Sequence, residues 1–183
     1  MKFTSTEIEG VWLIESEVHN DERGSFFEWF RIDKVKSQLG INFSLEQANI
    51  SKSKKNVIRG MHYSLNPKGQ AKWITCVHGS IKDVVVDLRE NSPTFMKHVS
   101  IEINGMAGNS IIISSGMAHG FLSKTELSVT SYLLSSLYKP ELEYAINPFD
   151  PDIEINWGIK ESEAILSSKD KNAASFKNRV VLK

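Results

Sequence analysis

One cysteine in 183 residues, set inside an apolar run, removes two classes of small protein at once. Cys76 has no partner for an intramolecular disulfide and no companions for a cysteine-rich zinc site. A surplus of one charge is missing as well. Lys plus Arg and Asp plus Glu stand at 22 each, so no bulk positive field points to nucleic acid. Lys52, Lys54 and Lys55 thicken locally without an aromatic ladder, as a solvated turn does. No apolar run reaches membrane-spanning length, and the opening MKFTSTEIEG has no core of signal-peptide length. These absences predict a soluble, cytoplasmic chain with no nucleic-acid or membrane partner. Repeats, low-complexity tracts and βαβ alternation are absent too. A single domain over 1–183 is therefore expected, loosening into a flexible tail from about residue 172.

What is present is a series of short apolar or alternating runs separated by turn residues. Strands are predicted at 11–14, 25–30, 43–50, 81–88, 98–103, 110–114, 121–122 and 127–134. A short helix is predicted at 33–39, with Asp33 as its cap and Gly40 as its stop, and another near 161–166. Short strands at this spacing argue for an all-β sandwich or barrel with short peripheral helices.

The stretch NVIRGMHYSLNPKGQAKW, 56–73, concentrates the chemistry. It reads as strand, turn at Asn66-Pro67-Lys68-Gly69, then a second strand over 72–77. If this closes as a hairpin, Arg59, His62 and Lys72 meet on one concave surface. Two cations beside a titratable imidazole suit a phosphate-bearing substrate with a proton to be moved. A lone strand histidine is more often structural, so the weight falls on its company. Gln47 and Asn49, two residues apart on a strand, share a face and mark either a polar pocket or solvent. GNSIIISSGMAH, 108–119, presents a second histidine, His119, at a tight turn.

Two half-motifs, each ending in a histidine, resemble a cupin: a double-stranded β-helix, or jelly roll. Metal-binding cupins carry a His-x-His pair, whereas Met61, Tyr63 and Ser64 surround His62, so no metal is expected. The sequence more specifically resembles the dTDP-4-dehydrorhamnose 3,5-epimerase family. The resemblance rests on DERGSFFE at 21–28, QANISKSKKNVIRGMHY at 47–63, GQAKW at 69–73 and GSIKDVVVDLRENSPTF at 79–95. It continues through GMAHGF at 116–121, Tyr132 with LYKPELE at 137–143, and LSSKD at 166–170.

This resemblance implies an epimerase of a nucleoside-diphosphate 4-keto-6-deoxyhexose. The C4 carbonyl acidifies the hydrogens at C3 and C5, a base removes one, and an acid returns a proton to the opposite face of the enolate. By resemblance His62 is the base, Asp170 its partner, Tyr132 the acid, and Lys72 the stabiliser of charge on the C4 oxygen. Substrate binding falls by resemblance to Arg23, Glu28, Gln47, Asn49, Arg59, His119, Tyr138, Glu143 and Lys169, with Arg59 and Arg23 suited to the pyrophosphate. No cofactor is implied. A homodimer is, with N-terminal strands exchanged so that Arg23 and Glu28 reach the neighbour's site.

The sequence departs from the family pattern at Leu137, where many members carry a tyrosine, at Leu133, and in NPFDP at 147–151. These departures leave open a single-site C3 or C5 epimerase, or a 3,4-ketoisomerase acting on another nucleotide sugar such as a CDP-linked one. A non-enzymatic sugar-binding cupin is the reading from a different class.

Overall fold

A computed structural model describes residues 1–181. Among the described residues, thirteen strands form in chain order: β1 (Lys2–Ser5), β2 (Val11–Glu15), β3 (His19–Asp21), β4 (Gly24–Phe26), β5 (Gln47–Lys54), β6 (Ile58–Ser64) and β7 (Lys72–His78). After these come β8 (Ser80–Asp87), β9 (His98–Asn104), β10 (Asn109–Ile113), β11 (Met117–Ser123), β12 (Leu127–Leu134) and β13 (Glu143–Ala145). Two helices accompany them, α1 (Ile32–Leu39) and α2 (Ser168–Lys171).

The strands divide between a six-stranded sheet, ordered β1-β2-β10-β7-β12-β5, and a five-stranded sheet, ordered β13-β6-β11-β8-β9. All named pairings are antiparallel, and β3–β4 forms a separate small hairpin. The result is the double-stranded β-helix, or jelly roll, with short peripheral helices.

The continuous apolar runs follow from coverage of both faces of each sheet. Along β10, Ile111 and Ile113 point between the sheets with Ile74, Val85 and Phe121. Ile112 faces the other way, into a second cluster with Trp73, Phe43 and Val35 of α1. On the outside of the five-stranded sheet, Val84, Val86 and Met61 pack against Ile146, Ile153, Trp157 and Phe176 from the last third of the chain.

Several expectations need correction. Residues 57–77 are not a hairpin: β6 and β7 belong to opposite sheets, and the turn closed by Gly69 N–H to Asn66 O carries the chain across. The strand expected at 25–30 stops at Phe26, and the one expected from residue 43 begins at Gln47, because Phe43 leaves the sheet line to cover Trp73. The first helix starts one residue early. Its N-cap is Arg31 with no side-chain cap bond, so Asp33 sits in the first turn, while Gly40 ends the helix at φ 66 as expected. Residues 161–163 form a single 3₁₀ turn, and the nearby α-helix lies at α2.

The tail expected to loosen from about 172 is instead pinned. Phe176 is 4% exposed, its N–H donates to Asp150 Oδ2 at 2.7 Å, and Tyr63 Oη donates to the Val180 carbonyl at 3.0 Å. Residues 182–183 of that expectation lie outside the described residues.

Candidate active site

His62 lies on β6, where its register partner is His119 on β11. This pairing depends on two facing glycines. Gly60 has φ 134, and a Cβ there would lie 2.5 Å from Gly120 Cα, so no other residue allows the strands to approach this closely. The ladder shifts register between His119 and Phe121, beside Gly120. Such bulges re-aim neighbouring side chains, here into the space between the sheets.

Four groups proposed from resemblance come together around one cavity of about 680 Å³. His62 Nε2 stands 2.6 Å from Asp170 Oδ1, across 108 residues of chain. Asp170 is buried within α2, where Ser167 Oγ accepts its N–H at 3.1 Å. Burial pushes the Asp170 carboxyl up, but the His62 hydrogen bond and charge, with Ser167 and the Gly60 backbone, outweigh it and hold the group below the usual range. A carboxylate at this position fixes the orientation of the imidazole ring.

From the opposite sheet come Lys72 on β7 and Tyr132 on β12. Lys72 is buried, and its Nζ donates to the His62 carbonyl at 3.3 Å. Burial pulls its ammonium down to about 8, with Glu143 and Asp83 acting in the other direction. Tyr132 Oη and Ser51 Oγ are hydrogen-bonded at 2.9 Å, and the phenol ring lies among His119 and Phe121. Burial raises the phenol's pKa, so the group is held protonated.

Arg59, Asn49, His119, Tyr138, Glu143 and Lys169 also line the cavity. The Arg59 guanidinium is aimed by Ser53 Oγ (3.0 Å) and the Lys52 carbonyl (3.1 Å). Gln47 stands just behind the lining: it donates to Asn49 Oδ1 at 3.0 Å and accepts the Tyr138 N–H at 2.8 Å. Of the shared face expected for Gln47 and Asn49, Asn49 reaches the pocket wall and Gln47 supports it from behind.

Arg23 and Glu28 do not line this cavity. Arg23 projects from the β3–β4 hairpin with its side chain 90% exposed and paired to Asp21, and Glu28 pairs with Arg31 at the surface.

Two participants, Asp83 and Ser51, escaped the reading of the sequence, and Gln70, within the 56–73 stretch, had no role assigned. Asp83 is fully buried and holds His119 Nε2 at 2.8 Å. Ser51 holds Tyr132, and Gln70 donates to Glu143 Oε1 at 3.3 Å. Period-two spacing from Gln47 and Asn49 was the available signal for Ser51. Asp83 lay inside an apolar run whose pairing with β11 is not written locally.

A β-sandwich cavity with an imidazole–carboxylate pair on one wall, and a phenol and a buried ammonium on the other, defines a class. It is a jelly-roll site built to move protons on a polar substrate. A family model described as dTDP-4-dehydrorhamnose 3,5-epimerase matches residues 5–178. A dTDP-4-dehydro-6-deoxyglucose 3-epimerase of Streptomyces is 40% identical over 92% of this chain and 86% of that protein. The dTDP-4-dehydrorhamnose 3,5-epimerase of Mycobacterium tuberculosis is 38% identical over 97% of this chain and 89% of its own length. The crystal structure of the 3,5-epimerase from Elizabethkingia anophelis matches with a TM-score of 0.92 at 39% identity, covering 98% of both chains. The chain belongs to the dTDP-4-dehydrorhamnose 3,5-epimerase family, and so is an isomerase of nucleotide sugars.

Proposed function

We propose that this chain epimerises a dTDP-linked 4-keto-6-deoxyhexose, with His62 as the base and Tyr132 as the acid. The observation that carries the assignment is that the two groups approach one cavity from opposite sheets. Inversion needs a proton taken from one face of a carbon and returned to the other. In this reading His62, with Asp170 beside it, removes the proton next to the C4 carbonyl. The electron pair moves onto the C4 oxygen, where the Lys72 ammonium opposes the developing charge, an effect usually worth about 3–4 kcal/mol per donor. Tyr132 then donates to the carbon from the far wall and the carbonyl re-forms. Protons balance across the cycle, and no electrons are gained or lost.

Arg59 suits the pyrophosphate, and Asn49, Gln47, His119, Tyr138, Glu143 and Lys169 shape the remainder of the pocket. A homodimer belongs to the same reading, with the β3–β4 hairpin carrying Arg23, and the segment just after it carrying Glu28, to the neighbour's cavity. Its support is that this hairpin exposes Phe26 (68%) while β5, the edge of the six-stranded sheet beside the cavity, exposes Ile50 (68%).

The test is proton NMR with dTDP-4-keto-6-deoxyglucose in D₂O. Loss of both the C3 and C5 proton signals, with inversion at both carbons, is the expected result. Exchange at C3 alone would establish a second reading, a 3-epimerase, which the 40% identity to a Streptomyces enzyme of that kind favours. No exchange at either carbon would overturn both.

A further inference from the structure

Each inversion in the proposed reaction leaves Tyr132 one proton short and His62 one proton rich, on opposite walls of the cavity. The two must be reset before the next inversion. The imidazole can exchange with water directly, because its side chain is 38% exposed. Tyr132 also lines the cavity and is partly exposed there, so what sets it apart is the surroundings of its hydroxyl. Its ring is packed against Phe121 and His119, with centroids 6.2 and 6.3 Å away, and among the described residues its hydroxyl has one hydrogen-bond partner, Ser51.

Ser51 is well placed between phenol and solvent. It lies on β5, the edge strand of its sheet, it is partly exposed, and it lines the cavity. Its hydroxyl can donate to Tyr132 Oη while accepting from water. We propose that Ser51 is the residue through which Tyr132 is recharged, an inference that rests on Tyr132 being the acid. After the phenol has protonated carbon, the tyrosinate takes the Ser51 hydroxyl proton as Ser51 Oγ takes one from a water molecule. The hydroxide left behind is neutralised by the proton that the His62 imidazolium releases to solvent. Burial makes the tyrosinate strongly basic, which drives the proton back along this path. Before transfer the same hydroxyl donates to the phenol oxygen and leaves the phenol proton free for the substrate. Ser51 is therefore a positioning residue that acts through Tyr132.

The test is rapid-quench kinetics on Ser51→Ala and Ser51→Thr beside the wild type. Recharging by Ser51 predicts that Ser51→Ala gives a fast burst of one inversion per site, then a steady state slower by about tenfold or more, within the usual range for assisted proton transfer. KM should fall together with kcat, leaving kcat/KM near the wild-type value, and Ser51→Thr should restore the rate, since it keeps the hydroxyl. In a Tyr132→Phe background, Ser51→Ala should add no further loss. A steady-state rate within about twofold of wild type would overturn the proposal, because a proton path that can be deleted freely is not in use. So would first and later inversions slowing together, which would make Ser51 a support for Tyr132's geometry alone. A wild-type enzyme that exchanges no substrate proton would overturn the parent reading instead, and that outcome is visible before any variant is made.

Discussion

Lys72 sits where an ammonium is least stable, and that gives its titration two readouts of opposite sign. Burial brings its pKa down to about 8, whereas the unfolded chain's lysine titrates near 10.4. Between these values the unfolded state binds more protons than the folded one, so this residue's contribution makes stability rise with pH from about 8 to about 10.4. A gap of this size corresponds to a few kcal/mol once the window is crossed. Activity should move the other way, falling as pH passes about 8 and the charge facing the C4 oxygen is lost. Denaturant melts and turnover measured from pH 7 to 10 check both. In Lys72→Met, the pH-dependent gain in stability relative to wild type should disappear. The rate should drop by about 10²-fold or more and lose this alkaline limb. A wild-type rate that stays flat to pH 9.5 would exclude the ammonium from the reaction.

Whole elements were legible to the extent that their signals were local. β12 has the predicted bounds, Leu127–Leu134, with Tyr132 turned toward one apolar cluster and Leu133 toward the other. β1 and β13 gave no such signal: Lys2–Ser5 is a largely exposed edge, and Glu143–Ala145 is three residues long after a proline turn. The strand–turn–strand reading of 56–77 found the right residues and the wrong pairing. A tight turn predicts a return within one sheet, but here the chain crosses to the other. Arg59, His62 and Lys72 still converge because the sheets face each other across the cavity. The His62–Asp170 contact was reachable only through family resemblance, since no local pattern encodes a partner 108 residues away.

What brings Asp170 there is the closing segment, misread as a loose tail because its sequence is polar with few apolar anchors. Those anchors suffice: Phe176 lies against Phe95 (centroids 5.8 Å) under the Arg179 guanidinium, 4.0 Å from its ring. Phe176→Ala should therefore cost about 3 kcal/mol and lower the melting temperature by roughly 6–12 °C. A change below about 2 °C would mean that the segment does not hold to the sheet.

At the scale of the molecule, the site described within one chain lacks two of its expected contributors. Arg23 and Glu28 stand on the surface outside the cavity, Arg23 on the β3–β4 hairpin, beside an apolar ring exposed on that hairpin. A twofold dimer would resolve both features if each hairpin crossed to the other subunit, because an isologous contact supplies the same residues reciprocally. This makes a complementation experiment decisive. His62→Ala removes the base from its own cavity but leaves Arg23 to offer a partner. Arg23→Ala keeps the base but offers no guanidinium. Each homodimer should be nearly inactive under limiting substrate. Unfolding and refolding the two together in equal amounts should restore about a quarter of the wild-type sites, because half the dimers are mixed and one of their two cavities is complete. If Arg23 serves its own chain's cavity, every mixed dimer has one site without a base and one without the guanidinium, and no activity returns. A chain that light scattering shows to be an active monomer would remove the exchange altogether. The predicted recovery separates a site shared between subunits from one that merely lies near an interface.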